Sequence, residues 1–389
     1  MSSLVDCQSS STINRIMWDD DTDDDNSIIQ HSCSLIAKAA AYAGRRHFAR
    51  RRLVPGRHGW KARWQERRSV SEIFTGLGPD YFRRAYRMQY RSFWKLSDKF
   101  EKGIEELEHL GYEKKGGREG GRYLLPPVTN DSIDSSVCLA CPLRYFAGGS
   151  PYNLMGKYSI SHTVVMESVW YVVQAVNNLH EMDIEYPKSA EEQNKIVQQF
   201  KQVSSAGFDI CAGAIDGILI WIKKPALKEA TGAECGQIKF LCGRKGKFGL
   251  NCQAVSDVRG KILDISIAYG GASSDCLAFE RSKLYDRCEN GLMKNGKVLF
   301  GDNAYLNTQY MATPYTNVSG NEEYRTRDDY NFYHSQLRIR VECCFGMLVQ
   351  HWVILQTALS HSIPLTRIVA LVNTLARLHN YFIDEADHL

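Results

Sequence analysis

The spacing of hydrophobic residues changes near residue 208. Before that point apolar positions recur every three or four residues, the period of an amphipathic helix. This pattern predicts helices at 80–112, about 133–147, about 151–158 and 161–179. Beyond residue 208, short apolar runs bounded by glycine predict strands at 213–222, 248–257, 261–269 and 298–301. Two further helices are expected, at about 274–288 and 364–382.

The order of these elements indicates a fold class. The turn signal at 257–261 predicts an antiparallel hairpin between the second and third strands. Strand-strand-strand-helix-strand-helix is the element order of a ribonuclease-H-like core. We therefore expect an α/β fold, with a mixed sheet flanked by helices.

Three carboxylates occupy distinctive positions in this pattern. Asp216 lies within the first predicted strand, Asp302 directly follows the fourth, and Glu342 lies in a long segment of helical period. Glu342 flanks an apolar seam made of Val341, Phe345, Leu348, Trp352 and Leu355. Two metal ions about 3.5–4 Å apart, held by such acids, can promote in-line displacement at a phosphodiester. Acids held this close repel one another, so without a cation their pKa values should be raised.

Each acid alone also has an ordinary structural explanation. Asp216 fits a turn residue, and Asp302 with Asn303 fits a helix cap. Arg338 and Glu342 are spaced as a surface ion pair on a helix, which stabilises by a few tenths of a kcal/mol. Taken singly, these explanations are favoured.

The amino-terminal region is strongly polar. Residues 1–44 hold seven acidic and two basic side chains, whereas 45–68 hold ten basic and one acidic. We expect residues 1–68 to form a disordered tail. Its basic part is either a solvated arm or a patch for nuclear targeting or phosphate binding. The chain contains no apolar run of about 20 residues, so no membrane association is expected.

Two features of the helical region allow alternative interpretations. Cys138 and Cys141 form a CxxC pair without a second pair at zinc-finger spacing, which favours core packing over metal binding. The segment 148–173 has the rhythm of a helix-turn-helix. Its last helix lacks Lys and Arg, which favours packing over base reading.

Taken together, the stretches of sequence around the three acids resemble those of the PIF/Harbinger family of DDE transposases and the host-adopted nucleases derived from them. The resemblance covers roughly 80–383 and is strongest over 212–355. The matching stretches are AIDGILIWIKKP at 214–225, RKGKFGLNCQAVSDVRGKILDI at 244–265, YGGASSDCLAFERSKLY at 269–285, FGDNAYLNTQYMATPY at 300–315, RIRVECCFG at 338–346 and LARLHNYFI at 375–383. Upstream, LRYFAGGSPYNLMGKYSIS at 143–161 is similar to the helix-turn-helix-like segment of the family.

The resemblance implies that Asp216, Asp302 and Glu342 are catalytic and bind Mg²⁺ or Mn²⁺. Asp275 matches the acid of a His-Asp pair in the family and is a secondary metal candidate, although Ser274 replaces the histidine. Val349 stands where the family usually has a lysine. Further implications are a DNA substrate, a Myb-like DNA-binding partner, nuclear location with a cytoplasmic fraction, and self-association into a homo-oligomer.

Six basic residues are candidates for contact with the DNA backbone. Five of them form a flank expected near the acids, and the sixth precedes Glu342 by one helical turn: Lys223, Lys224, Arg244, Lys245, Lys247 and Arg338. The predicted organisation is a tail at 1–68, a helical region at 80–200 and a nuclease domain at 208–385. The competing hypothesis is a catalytically silent, host-adopted protein that binds DNA or chromatin.

Overall fold

The computed structural model describes residues 68–109, 112–113, 122–123, 133–232, 236–316, 323–360 and 363–386. The predicted tail, apart from its last residue, and the two linking segments 114–121 and 124–132 lie outside the described residues. Their predictions therefore stay predictions.

Six helices precede the main sheet in the described part of the chain. They are α1 Val70–Tyr86, α2 Tyr90–His109, α3 Ser135–Phe146, α4 Pro151–Tyr158, α5 His162–Asn178 and α6 Ala190–Val203. The helix predicted at 80–112 is in fact two helices, because Arg87 takes a left-handed conformation with φ 63° and ends α1. Ser69 starts α1 with a capping box, whereas α5 starts at Ser161, whose hydroxyl accepts a hydrogen bond from the Val164 N–H.

The main sheet is mixed. Its strands are β3 Cys211–Trp221, β4 Leu241–Cys242, β5 Lys247–Ser256, β6 Ile262–Gly270, β7 Val298–Phe300 and β8 Met311–Ala312. The spatial order is β6-β5-β3-β7-β8, with β4 paired to the start of β5. Strand β5 is antiparallel to both of its neighbours, β3 and β6. Strands β7 and β8 run parallel to β3. This is the sheet of a ribonuclease-H-like core, as the sequence predicted. Two short parallel strands, β1 Tyr112–Glu113 and β2 Arg122–Tyr123, form a separate ladder.

The connections differ from the predicted pattern in two places. The helix expected at about 274–288 is broken into α8 Asp275–Glu280 and α9 Lys283–Glu289, because the Ser282 hydroxyl accepts from the Tyr285 N–H and starts a new helix. Strand β8 was not predicted, since two residues carry no measurable period. The short helix α7 Leu227–Gly232 follows β3.

Two long helices complete the core. Helix α10 spans Glu323–His351 and α11 spans Leu365–Ala386. Trp352, fully buried, donates its indole N–H to the Leu375 carbonyl at 2.9 Å and packs edge-on against Phe146 of α3. Arg377 of α11 donates to three carbonyls at the end of α5, including that of Val176 at 3.1 Å. The helical region and the sheet therefore share one continuous core, and the division at 200–208 stays a prediction.

The helical region packs inward. Cys138 and Cys141 are buried free thiols among the apolar side chains of α3. Most apolar residues of α5 are buried as well, which agrees with a packing helix. No helix in the described segments is long and apolar enough to cross a membrane.

Candidate active site

Asp216 lies on β3, and Asp302 lies just beyond the end of the adjacent parallel strand β7. Ala214 of β3 pairs with Phe300 of β7, and each acid follows two residues later. Neighbouring strands are about 5 Å apart, so this register brings the two backbones together at the point where β7 ends. The side chain of Asp216 is 18% exposed. The fold therefore joins two acids that are 86 positions apart in the sequence.

Helix α10 brings Glu342 to the same face of the sheet. Val341, Leu348 and Trp352 are buried, which confirms the predicted apolar seam. Arg338, one turn before Glu342, places Nη1 2.5 Å from Glu342 Oε1 and 3.8 Å from Asp216 Oδ2. The ion pair expected between Arg338 and Glu342 is therefore present, and the same guanidinium also links Glu342 to Asp216.

Asp275 approaches the sheet from the opposite face. Gly217 is paired with Gln253, so these two positions share a face, and the side chain of Asp216 projects to the other side. Asp275 Oδ1 accepts hydrogen bonds from Asn251 Nδ2 and Gln253 Nε2, both at 3.0 Å. A Cβ at position 217 would overlap that oxygen. Glycine at 217 thus leaves room for an acid behind Asp216.

A buried polar network connects Asp275 to the loop of Asp302. The Tyr305 hydroxyl donates to Gln253 Oε1, while Gln253 Nε2 also donates to Asn251 Oδ1 at 2.8 Å. Tyr305 belongs to the turn after β7, in which Asp302 Oδ1 accepts from the Ala304 N–H at 2.9 Å. Gln253 and Asn251 are 4% and 7% exposed, unusual for amides in a central strand. Sequence analysis missed these residues, although two amides alternating within an apolar strand were the available signal.

The electrostatics of the acids follow from burial and like charges. Burial, together with the charges of Asp302 and Asp275, raises the pKa of Asp216 to about 6. The Gly217 N–H, which donates to Asp216 Oδ1 at 2.7 Å, and Arg338 act in the opposite direction. The pKa of Asp216 is therefore raised as expected, but burial contributes more to the rise than the repulsion between acids on which the expectation rested. Burial and the same three aspartates also keep the Tyr305 hydroxyl protonated, with a pKa well above its ordinary value.

The candidate ligands suit a hard divalent cation, although in this structure they are not close enough together to coordinate one. All candidate ligands are carboxylate oxygens, which Mg²⁺ and Mn²⁺ prefer. Within the described ranges, no three His, Cys, Asp or Glu side chains are close enough to form a ligand cluster. Arg338 supplies the positive charge between Asp216 and Glu342. Binding of a cation would require that guanidinium to move.

The five basic residues of the expected flank converge, but at a different place. Ile222 N–H donates to the Phe248 carbonyl at 3.0 Å, which brings the residues after β3 next to the β4–β5 turn. All five are exposed. Seven residues of extended chain separate Asp216 from Lys223, which corresponds to about 20 Å. The flank is therefore farther from the acids than the sequence analysis expected, because β3 continues well past Asp216.

Comparison with known proteins identifies the region that carries these acids. Residues 215–380 match the family model described as DDE superfamily endonuclease. The chain carries a DDE superfamily endonuclease domain. All three candidate catalytic acids and Asp275 lie inside this domain, whereas the helices α1 to α6 precede it.

The chain is also similar to curated proteins that carry the name "Putative nuclease HARBI1". The chain is 25% identical to the "Putative nuclease HARBI1" of Rattus norvegicus over 228 residues, which cover 58% of this chain and 62% of the relative. For the Homo sapiens protein of the same name the identity is 25% over 230 residues, or 59% and 61% of the two chains. The match thus spans about three fifths of the length of these curated relatives. No solved structure matches the chain.

Proposed function

We propose that this protein is a divalent-metal-dependent DNA endonuclease with a mechanism of the DDE transposase type. One observation carries the proposal: Asp216 lies on β3, Asp302 follows the end of the adjacent parallel strand β7, and Arg338 joins Glu342 to Asp216. The family match over 215–380 and the nuclease names of the relatives support a nuclease. The use of DNA and of a metal is the proposed part.

Asp216, Asp302 and Glu342 would hold Mg²⁺ or Mn²⁺, with Asp275 acting on them from the other face of the sheet. Bound there, such cations activate the attacking oxygen and stabilise the leaving oxygen during phosphodiester cleavage. Water is the proposed attacking group, followed by a DNA 3′-hydroxyl where strand transfer occurs. The mechanism requires no nucleophilic side chain and no covalent protein intermediate.

The residues of the chain have separate roles in this proposal. Arg338 keeps Asp216 and Glu342 close together without a bound cation, by offsetting their repulsion. With a pKa of about 6, Asp216 binds and releases a proton just below neutral pH. The Tyr305–Gln253 hydrogen bond fixes the turn that carries Asp302.

The test is cleavage of supercoiled plasmid DNA by the purified full chain with Mg²⁺, Mn²⁺ or a chelator. We expect nicking only with metal, and a loss of at least 100-fold for Asp216→Asn, Asp302→Asn and Glu342→Gln. Asp329→Asn is the matched control, because Asp329 is an exposed acid on the same helix as Glu342. Equal nicking by wild type and the Asp216 variant would refute the mechanism.

A catalytically silent DNA-binding protein is the second candidate. The observation that favours it is the Arg338 guanidinium, which contacts two of the acids and can replace a metal ion. Calorimetric titration with Mn²⁺ discriminates between the candidates. Binding that disappears in the Asp216→Asn variant supports the enzyme, whereas no binding at millimolar Mn²⁺ supports the silent protein.

Partners and location rest on the family resemblance and are proposals. We expect a Myb-like DNA-binding protein to bring the nuclease to its target, and we expect self-association. Co-purification with candidate Myb-like proteins and light scattering of the pure chain test these two points. Nuclear location, with a cytoplasmic fraction, would depend on the basic segment 45–68, and a variant without 1–68 that stays nuclear would contradict this.

A further inference from the structure

The fold gathers five basic side chains at the end of the sheet away from the acids. Two follow β3, two occupy the β4–β5 turn, and one begins β5; we call Lys223, Lys224, Arg244, Lys245 and Lys247 the distal basic cluster. Strand register produces it: Trp221 pairs with Gly249, and β4 pairs with the start of β5. The cluster is therefore built on the same strand that carries Asp216.

The positive charge of the cluster is available to a partner. All five side chains are exposed, and no ion pair among the described residues involves any of them. Lys247 Nζ lies 3.2 Å above the centre of the Trp221 ring, which orients that side chain. The nearby acid Glu229 of helix α7 does not neutralise the cluster, because it accepts a hydrogen bond from the Leu365 N–H and forms no ion pair with the five basic residues among those described.

The acidic end of the sheet needs such a counterpart. Asp216 and Glu342 contact one cation, Arg338, while the charges of Asp302 and Asp275 also act on Asp216, so this end repels phosphates when no metal is bound. Attraction to a nucleic acid must then come from elsewhere on the protein. The distal basic cluster is about 20 Å away along β3, too far for its side chains to reach the phosphate at the acids.

We propose that the distal basic cluster holds the backbone of duplex DNA about six base pairs from the phosphodiester at the acids. This inference rests on the proposed function, which places a phosphodiester there. One strand of a duplex advances about 3.4 Å per base pair, so about 20 Å corresponds to six base pairs. The cluster supplies affinity and sets the minimum length of duplex that the protein needs on one side.

Binding can be measured without catalysis. The full chain carrying Asp216→Asn is titrated, in chelator, against a labelled 30-base-pair duplex at several salt concentrations. A second protein adds Lys223→Gln, Lys224→Gln, Arg244→Gln and Lys245→Gln, and keeps Lys247 because it packs on Trp221. A control protein instead adds Gln at four exposed basic positions on or next to other elements, Arg83 of α1, Lys188 before α6, and Lys195 and Lys201 of α6.

We expect the cluster variant to bind at least 10-fold more weakly than the control variant at low salt. Each lost phosphate contact reduces the slope of log K against log salt by about 0.9, so four contacts reduce it by about 3 to 4. All proteins retain the basic segment 45–68, so its contribution is common to them. Unchanged melting temperatures verify that the variants are folded.

Three results would overturn the inference. These are equal weakening in the cluster and control variants, unchanged binding in the cluster variant, and weakening for RNA of the same length but not for DNA. The spacing is tested separately on end-labelled duplexes with the active protein: we expect no cut within about six base pairs of one end, and cuts closer to both ends contradict it. Absence of all cutting would contradict the proposed nuclease but leave the binding result intact.

Discussion

Replacing Gly217 by Ala would disturb the tightest contact in the candidate site. The added Cβ would overlap Asp275 Oδ1 and lie 2.5 Å from Gln253 Nε2. Both atoms end side chains, yet neither moves freely, because Asn251 and Tyr305 bond to the same pair. Displacing them breaks hydrogen bonds to a charged group, each contributing about 1.5–3 kcal/mol. With overpacking included, we expect a loss of about 2–4 kcal/mol in the free energy of unfolding.

Gly346→Ala is the matched control for this substitution. Gly346 lies in α10 one turn after Glu342, is exposed, and a Cβ there would meet nothing within 4 Å. Alanine in an exposed helical position should stabilise by about 0.5–1 kcal/mol. The assay is urea unfolding followed by circular dichroism, with both variants measured against wild type. Wild-type stability of the Gly217 variant would refute the packing argument, as would a destabilised Gly346 variant.

Three further substitutions test the polar groups. Asp216→Asn should stabilise the fold at pH 7 by up to about 3 kcal/mol, because burial raises the pKa of this acid to about 6 and so disfavours its charged form in the folded chain. The gain should shrink as the pH falls through 6 and vanish well below 3.8, the ordinary pKa, where the folded and unfolded chains both hold the proton; unfolding at several pH values measures it. Tyr305→Phe should cost about 1–3 kcal/mol by leaving Gln253 Oε1 buried without its donor, whereas Tyr315→Phe, at a half-exposed ring, should leave the unfolding midpoint unchanged. Burial, aided by His379, lowers the pKa of His351 to about 4, so between about pH 6.5 and 4 the unfolded chain binds a proton that the folded chain does not. This residue therefore makes the free energy of unfolding fall as the pH falls through that range. His351→Gln should reduce this pH dependence, and an unchanged dependence between pH 6.5 and 4 would contradict the assignment.

Much of the fold could be predicted because hydrophobic period reports directly on burial. Strands β3, β5, β6 and β7 alternate or run apolar, so their places along the chain follow from local pattern. Glu342 could be placed beside the buried seam of its helix in the same way. The adjacency of Asp216 and Asp302 did not follow from local pattern, because it depends on the pairing of β3 with β7, and it was expected from the element order and the family resemblance.

The remaining features depend on distances that a sequence does not express. Spacing predicts a pair between Arg338 and Glu342, but not that the guanidinium also reaches Asp216 from another element. The approach of Asp275 through the gap at Gly217 depends on which sheet face each residue occupies. The basic residues near 223 and 245 seemed close to the acids because they are close in the chain, whereas an extended strand separates them by about 20 Å.

The indole of Trp352 has a practical consequence for fragments of this chain. It sits between α3 and α11, bonded to Leu375 and packed on Phe146, so the upstream helices form one wall of the interior beneath the nuclease sheet. Expressing 215–380 alone would remove that wall and expose to water the apolar side chains that pack against it, including the face of Trp352 that contacts Phe146. Recombinant pieces trimmed to the family match should therefore aggregate, and expression designs ought to begin before Val70.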